Sequence, residues 1–545
     1  MPTVKYFRKK IEDTALFTRW LFTFVLVFAA DALAVDLSEV DRVHDAQAKH
    51  CDQQEITAVA DRLDRFTETF ECGDSLFETR FNALDGVGAN VGDNLRFTRV
   101  PRADKTGPTE WANHIPERAT GPNAEACTVC HSDPFEDGSG LAGVNVVRDP
   151  RHSAIVGQFI QRNTPHLFGA GALQRLAEEM TESLQQQVAQ ARALSCAQNG
   201  TGVAVNLESK GISFGSVQVF CSPSNDDLTG LAGVDPDLVI KPFQWKGNFA
   251  TLRDFNRGAA HNELGMQAVE ITGDGIDGDG DGITKELNIG DLTALSVYLA
   301  AQPRPVTRLE LSDLGILALT LGEKLSIQRG NDVFIQNGCA DCHRPSMTID
   351  NPVFSEPSQV TAFRDTLFPA GQDPVANGVD PANPVSFDLT RDQPDNIIAI
   401  RGKTVHLGTF ERAQNGSAIV RLYGDLKRHD MGAALAENID ETGAGASTWL
   451  TKELWGVGST PPYLHDGRAT TLMEAILEHG GEAQQSRDAF ISLADSDKAD
   501  LITFLDNLIL YKIIFDDPTG FNHFPHHQRT RKRDGTRSLL GFGSR

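Results

Sequence analysis

Beyond its first thirty or so residues the chain has no apolar run long enough to span a bilayer, which excludes a later transmembrane helix. It is also short of positive charge. Lys and Arg number 50 against 74 Asp and Glu, a formal net charge of −24, which argues against nucleic acid and anionic membrane surfaces as partners. The one basic stretch is QRTRKRDGTRSLLGFGSR, residues 528–545, read as a solvated tail. Cysteine is scarce, 8 in 545 residues, so a spacing that recurs among so few carries information.

Such a spacing occurs twice, as CTVCH at 127–131 and CADCH at 339–343. From this composition about 0.003 accidental C-x-x-C-H matches are expected. C-x-x-C alone also serves zinc and redox dithiols, but the trailing histidine is what c-type haem attachment needs. Each sulfur adds to a haem vinyl group, and the adjacent imidazole becomes the proximal ligand. Cys127, Cys130 and His131 are thus expected to hold one covalently bound haem c, and Cys339, Cys342 and His343 a second.

The N-terminus supports export. Lys5, Arg8, Lys9, Lys10 and Arg19 precede an apolar run from Trp20 to Ala30, and Ala32-Leu33-Ala34 supplies a signal-peptidase pattern, so 1–34 read as a signal peptide. That run is shorter than the roughly 20 residues of a membrane span, so no stable span is expected after its removal, and the mature chain is expected in the periplasm or secreted. Four cysteines remain, and in an exported chain their simplest pairing is local, Cys51 with Cys72 and Cys196 with Cys221.

The organisation expected is a leader region at 35–118, an N-terminal cytochrome c-like domain at 119–305, a C-terminal one at 306–515 after the AQPRPV linker, and the basic tail at 516–545. GALQRLAEEMTESLQQQVAQARALSC is rich in helix formers, and GVAVNLESKGISFGSVQVFC alternates as a hairpin does. A helix leads into CADCH, and another over LADSDKADLITFLDNLIL, capped by Ser496 or Asp495, closes the domain. The fold class is therefore mostly α: two cytochrome c-like haem domains in tandem with long loops and a small β-hairpin.

LWGVGSTPPYLHDGRATTLMEAILEHGGEAQQSRDAF, residues 454–490, resembles the signature of the bacterial di-haem cytochrome c peroxidase and MauG superfamily, within it the di-haem oxidoreductase branch. QRNTPHLFGAGAL, FQWKGNFATLRDF and LKRHDMGAALAE are similar to further segments of that branch. The resemblance implies a reactive haem in the N-terminal domain, an electron-transfer haem in the C-terminal domain, and a tryptophan between them, here Trp245. Where those peroxidases place a methionine on the C-terminal haem, this chain has His479, a feature similar to the distantly related di-haem rubber oxygenases. A His343/His479 pair implies a more reducing haem than His/Met. His429 and Met431 are rival sixth ligands. On the reactive side, relatives carry a catalytic Glu about twenty residues beyond the tryptophan. Glu263 is the preferred acid/base and His261 the alternative or a removable distal ligand.

GDGIDGDGDGITKELN spaces Asp277, Asp279 and Asp281 as in the first half of an EF-hand loop, so calcium is expected there. Position twelve is Asn288 rather than Glu, with Glu286 as a substitute. The expected function is peroxide reduction at the first haem, supplied by a small periplasmic electron donor, a cytochrome c or a cupredoxin. Two rivals remain, an oxygenase using dioxygen on an organic substrate and a non-catalytic electron-transfer cytochrome.

Overall fold

Each haem motif is served by a pair of crossed helices. The computed structural model describes residues 46–513 except 94, 106, 108, 109, 111, 112, 115, 366, 367 and 369–371, so the expected signal peptide and basic tail lie outside the described residues. Helix α1 (Arg62–Glu78) starts at Asp61, whose carboxylate accepts from the N–H groups of Leu63 and Asp64. It buries Phe66, Phe70, Gly73 and Phe77, a stripe at helical spacing. Further on come α2 (Ala170–Ala197), α3 (Leu252–Ala259) and α4 (Ile289–Ala300), and α1 packs across α4. At the crossing a Cβ on Gly73 would collide with the Ala294 carbonyl and Tyr298 Cβ, so only glycine lets the two axes approach. Four residues on, Phe77 meets Tyr298 with ring centroids 5.3 Å apart.

The second pair repeats the first. Helix α5 (Leu321–Gln336) begins with a Thr320/Glu323 capping box; α6 (Leu472–Leu477) and α7 (Asp495–Leu505) follow, and α5 packs across α7. A Cβ on Gly330 would strike the Asp500 carbonyl and Phe504 Cβ, and Phe334, again four residues on, lies 5.3 Å from Phe504. Burying each such phenylalanine contributes about 1.5–3 kcal/mol. Helix α7 starts after Ala494 without a side-chain cap, so neither Ser496 nor Asp495 plays the expected role.

Helix α1 falls inside the stretch expected to be a leader, and this corrects the reading of 35–118: those residues supply the first helix of the first haem region. The pattern was missed because a long excursion separates Glu78 from Cys127, whereas α5 runs almost directly into Cys339. The fold is also less helical than expected. Among the described residues helices alternate with seven sheets, six of two strands and one of three, which tie down long connections. The largest is the expected hairpin, β1 (Val203–Ser209) and β2 (Ile212–Val219), closed at its base by Cys196–Cys221. Cys51 pairs with Cys72, again as expected. A buried ionic lattice joins the halves: Arg253 bonds Glu270 and Glu356, and Arg257 bonds Glu270 and Asp365.

Two loop segments repeat. FQWKGNFATL (243–252) and YLHDGRATTL (463–472) share positive φ at Gln244 (64°) and Leu464 (71°) and at Gly247 (64°) and Gly467 (69°). Phe243 bridges Phe249 as Tyr463 bridges Ala469, and Thr251 and Thr471 cap the helices that follow. TPHLFGAG (164–171) and TKELWGVG (451–458) likewise match, with φ of 76° at Gly169 and 84° at Gly456. Their contacts are reciprocal. Asn163 N–H donates to the His465 carbonyl (2.7 Å) while Leu450 N–H donates to the Trp245 carbonyl (3.0 Å); Gly169 faces the Trp455 ring while Gly456 faces His166. The halves therefore meet about an approximate two-fold axis, with Trp245 and His465 at equivalent places.

Candidate haem centres

Both C-x-x-C-H motifs fold as single 3₁₀ turns, Cys127–Val129 and Cys339–Asp341, a geometry that puts side chains three apart on one side of the turn. All four of these cysteines are free, whereas the other four are disulfide-bonded. Each proximal histidine is anchored through Nδ1 to a main-chain carbonyl, His131 to Gly138 (3.3 Å) and His343 to Tyr423 (3.2 Å). Desolvation pushes both imidazoles down to about 4, so they are neutral. A neutral ring that donates from Nδ1 presents a lone pair at Nε2, the atom a haem iron takes. The donor set fits covalent haem at both places.

In the second half His479 lies just beyond α6 and donates from Nδ1 to the Ala475 carbonyl at 2.8 Å. Its ring centroid is 6.4 Å from that of His343. Two imidazoles on opposite faces of one metal, each nitrogen about 2 Å from it, have centroids roughly 6 Å apart. The pair is therefore spaced to hold one iron between them. His429 is otherwise engaged: Nδ1 meets Glu482 (2.8 Å) and Nε2 meets Asp425 (2.9 Å), and although burial alone would lower its pKa, Asp425 and then Cys342 drive it up to about 11.

In the first half α3 corresponds to α6, but the residues after it form a π-turn, Ala260–Leu264. Turns of this kind concentrate at functional sites. The Glu263 carbonyl accepts from Asn123 N–H (2.9 Å) and Ala124 N–H (3.2 Å), close before the haem motif. Its carboxylate acts electrostatically on both Cys127 and Cys130. Burial raises the Glu263 carboxyl to about 7, Arg148 opposing. His261, on the same turn, goes elsewhere: Nε2 lies 3.3 Å from the Glu117 carbonyl, and burial with Arg118 nearby pushes the ring down to about 3. The structure thus brings Glu263 to the first motif and places His261 in the Arg118 network.

Trp245 donates from Nε1 to the Asn163 carbonyl at 2.8 Å, at the two-fold exchange between the halves. The second half's loop reaches the first haem region as well: Asn145 Nδ2 donates to the Asp466 carbonyl (2.9 Å), next to Val144, whose carbonyl is 3.9 Å from Cys130 Sγ.

Asp277, Asp279 and Asp281 converge, with one oxygen of each within 4.8 Å of the others. Asp279 is buried, its Oδ2 accepting from Arg118 at 3.2 Å, and burial raises it to about 7. Glu286 is buried beside them, pushed up to about 10 by desolvation and then by Asp279. Asn288 is the N-cap of α4, in a reciprocal capping box with Asp291, so it is not a candidate ligand. Arg118 links this loop to the π-turn, since it also donates to the carbonyls of His261 and Gly265.

Two groups were not anticipated. Trp449 stacks on His465 at 3.8 Å and 18°, with Lys246 Nζ 3.7 Å from the indole centroid. The repeat would have pointed to His465 as the counterpart of Trp245. Asp74, Glu78 and Glu136 gather beside Asp137, Lys512 and Tyr298; burial raises Asp74 to about 7 and Glu78 to about 9. These come from four distant stretches, with only Asp74 and Glu78 sharing a helical spacing.

Residues 406–508 match the family described as Di-haem oxidoreductase, putative peroxidase, a span that includes His429, His465 and His479. Among solved structures the chain is similar to a MauG-like protein associated with microbial copper homeostasis, at 18% identity over 51% of this chain and 70% of that one, TM-score 0.24. It is also similar to hydrazine synthase of Kuenenia stuttgartiensis, at 12% identity over 85% of this chain and 95% of that one, TM-score 0.34. No curated protein matches it.

Proposed function

We propose that this chain, with the di-haem oxidoreductase match over its second haem region, is an exported c-type oxidoreductase that reduces hydrogen peroxide at the site of Cys127, Cys130 and His131. The observation that carries the reading is the asymmetry between the halves. Where His479 faces His343, the equivalent stretch of the first half offers Glu263, a carboxyl that does not compete for iron as an imidazole does. When bound, the haems supply electron storage and the oxidising centre at which the O–O bond breaks.

The chain's own residues manage protons and position. Glu263 takes the proton from one peroxide oxygen and returns it to the departing hydroxyl, so that peroxide, two electrons and two protons leave as two waters. A carboxyl poised at about 7 is populated in both forms near neutral pH, as a group that both accepts and donates requires. His343 and His479 hold the second haem and Trp245 bridges the halves. The acidic loop takes calcium through Asp277, Asp279 and Asp281, to be tested by terbium luminescence and its loss in Asp279→Asn. The charge of −24 suits a basic donor, a small cytochrome c or cupredoxin in the periplasm.

The second reading is an oxygenase acting on an organic substrate with dioxygen, favoured by the bis-histidine spacing of His343 and His479. Both are tested by optical and EPR spectra of the oxidised and half-reduced protein, with and without peroxide. One high-spin and one low-spin haem with a rapid response to peroxide supports the proposal. A response only to dioxygen with consumption of an organic compound selects the second reading. Two low-spin haems indifferent to both indicate an electron-transfer cytochrome.

A further inference from the structure

The contact between the halves holds Trp245, Trp449 and Trp455, and the first two differ in their charged surroundings. Trp245 donates from Nε1 to the Asn163 carbonyl (2.8 Å) and Trp449 to the Leu435 carbonyl (3.0 Å). A main-chain carbonyl does not take up a proton. An indole that gives up one electron here keeps its Nε1 proton and becomes a radical cation, so nearby charge decides which of the two can be oxidised.

Trp449 is sandwiched. His465 stacks at 3.8 Å, a neutral ring because burial pushes it down to about 3. Lys246 Nζ, at 3.7 Å from the same ring, must lie over the opposite face. Lys246 is 1% exposed and donates to the carbonyls of Gly445 (3.0 Å), Ala446 (3.0 Å) and Thr448 (2.9 Å), with the Glu437 carboxylate further off at 3.9 Å. Three carbonyls fix the ammonium without neutralising it. Arg162 Cζ adds a second cation at 5.3 Å, though its guanidinium is paired with Glu437 and Glu441. Trp245 has only Lys452 described over its ring, at 6.0 Å, and Lys452 lies 3.4 Å from the Glu453 carboxylate. In a low-dielectric interior, a fixed positive charge in contact with an indole strongly opposes a second positive charge on it.

We propose that Lys246, acting through Trp449, is a positioning residue for electron transfer: it holds the Trp449–His465 stack in the reduced state, and one-electron oxidation between the haem sites passes Trp449 by. This rests on the reading that the two haem sites exchange electrons. The structural role of Lys246, bracing the 445–448 loop, is separate from this electrostatic one.

The test uses the ferric holoprotein and a photogenerated ruthenium(III) tris-bipyridine oxidant, which takes one electron from the protein and needs no peroxide. Tryptophan radicals are read by EPR, and the inter-haem rate by flash reduction. In the otherwise unaltered protein, Trp449→Phe should leave the radical spectrum unchanged and the inter-haem rate within about twofold. Lys246→Met should add a second radical that disappears when Trp449→Phe is combined with it. Lys246→Gln, which keeps some bonding to the carbonyls, should add it as well and serves if the methionine variant does not fold. Loss of a radical or a tenfold slower rate in Trp449→Phe alone would overturn the proposal, as would a Trp449 radical absent from both Lys246 variants. If peroxide produces no spectral change while the photo-oxidation pattern appears, the peroxide reading fails and the role of Lys246 stands.

Discussion

The two haem halves share a chassis and part company at one segment. Each crosses two helices on a glycine, Gly73 in one and Gly330 in the other, and stacks a phenylalanine four residues on against the partner helix. Each folds its C-x-x-C-H into a 3₁₀ turn, and each closes a positive-φ loop onto a threonine-capped helix. After that helix one half delivers His479 opposite His343, and the other makes a π-turn that carries Glu263. A common framework thus lets a few residues after one helix decide whether a second imidazole or a carboxyl is brought toward a C-x-x-C-H motif.

The largest effect should come from removing the closing ligand. His479→Ala is expected to turn the second site from low-spin to high-spin and allow it to bind carbon monoxide, read by EPR and optical titration. His479→Met should keep it low-spin and raise its midpoint potential. An unchanged spectrum in the alanine variant would break the comparison at its centre.

Next comes the acid. Glu263→Gln should slow peroxide turnover by roughly 10² with both haems retained on a haem-stained gel. The sign of the pH dependence follows from the raised carboxyl: the proton-accepting carboxylate grows as pH rises through about 7, so the peroxide step should accelerate from pH 6 to pH 8 and flatten in the variant. Turnover equal to that of the unaltered protein would withdraw Glu263 from the reaction.

The shared chassis can be tested by symmetrical damage. Gly73→Ala and Gly330→Ala each force a Cβ against a main-chain carbonyl, and each should destabilise by about 1–3 kcal/mol or more, measured by denaturant unfolding of the holoprotein. A tolerated change at one site only would show that the crossings are not equivalent. The smallest effect belongs to the caps: Thr251→Ala and Thr471→Ala each remove one side-chain acceptor from a helix start and should cost about 1 kcal/mol.

Much of the second half was legible because its elements are close in sequence. Helix α5 runs into CADCH, and His479 follows the HDG segment by a short helix. The first half was harder to read. Its opening helix α1 looked like part of a leader because the chain wanders between Glu78 and Cys127 before returning. The equivalence of Trp245 and His465 was hidden because only Gly247/Gly467, Thr251/Thr471 and Leu252/Leu472 are identical in the repeated segment, and its shape is set by backbone angles. Glu263 was preferred over His261 on spacing alone, and the π-turn sends their side chains to different neighbours.

The amino-acid sequence by itself determined the local disulfide pairs, the four cysteines left outside them and the long helix of 170–197, because covalent spacing and helix propensity act over a few residues or a single turn. Tertiary structure alone decided which histidine faces His343, which of two neighbouring groups lies by the first C-x-x-C-H motif, and which tryptophan lies beneath a buried lysine. Those choices depend on side chains from distant segments arriving at a few ångströms in a desolvated interior, where their charges act at full strength and no spacing along the chain records the meeting.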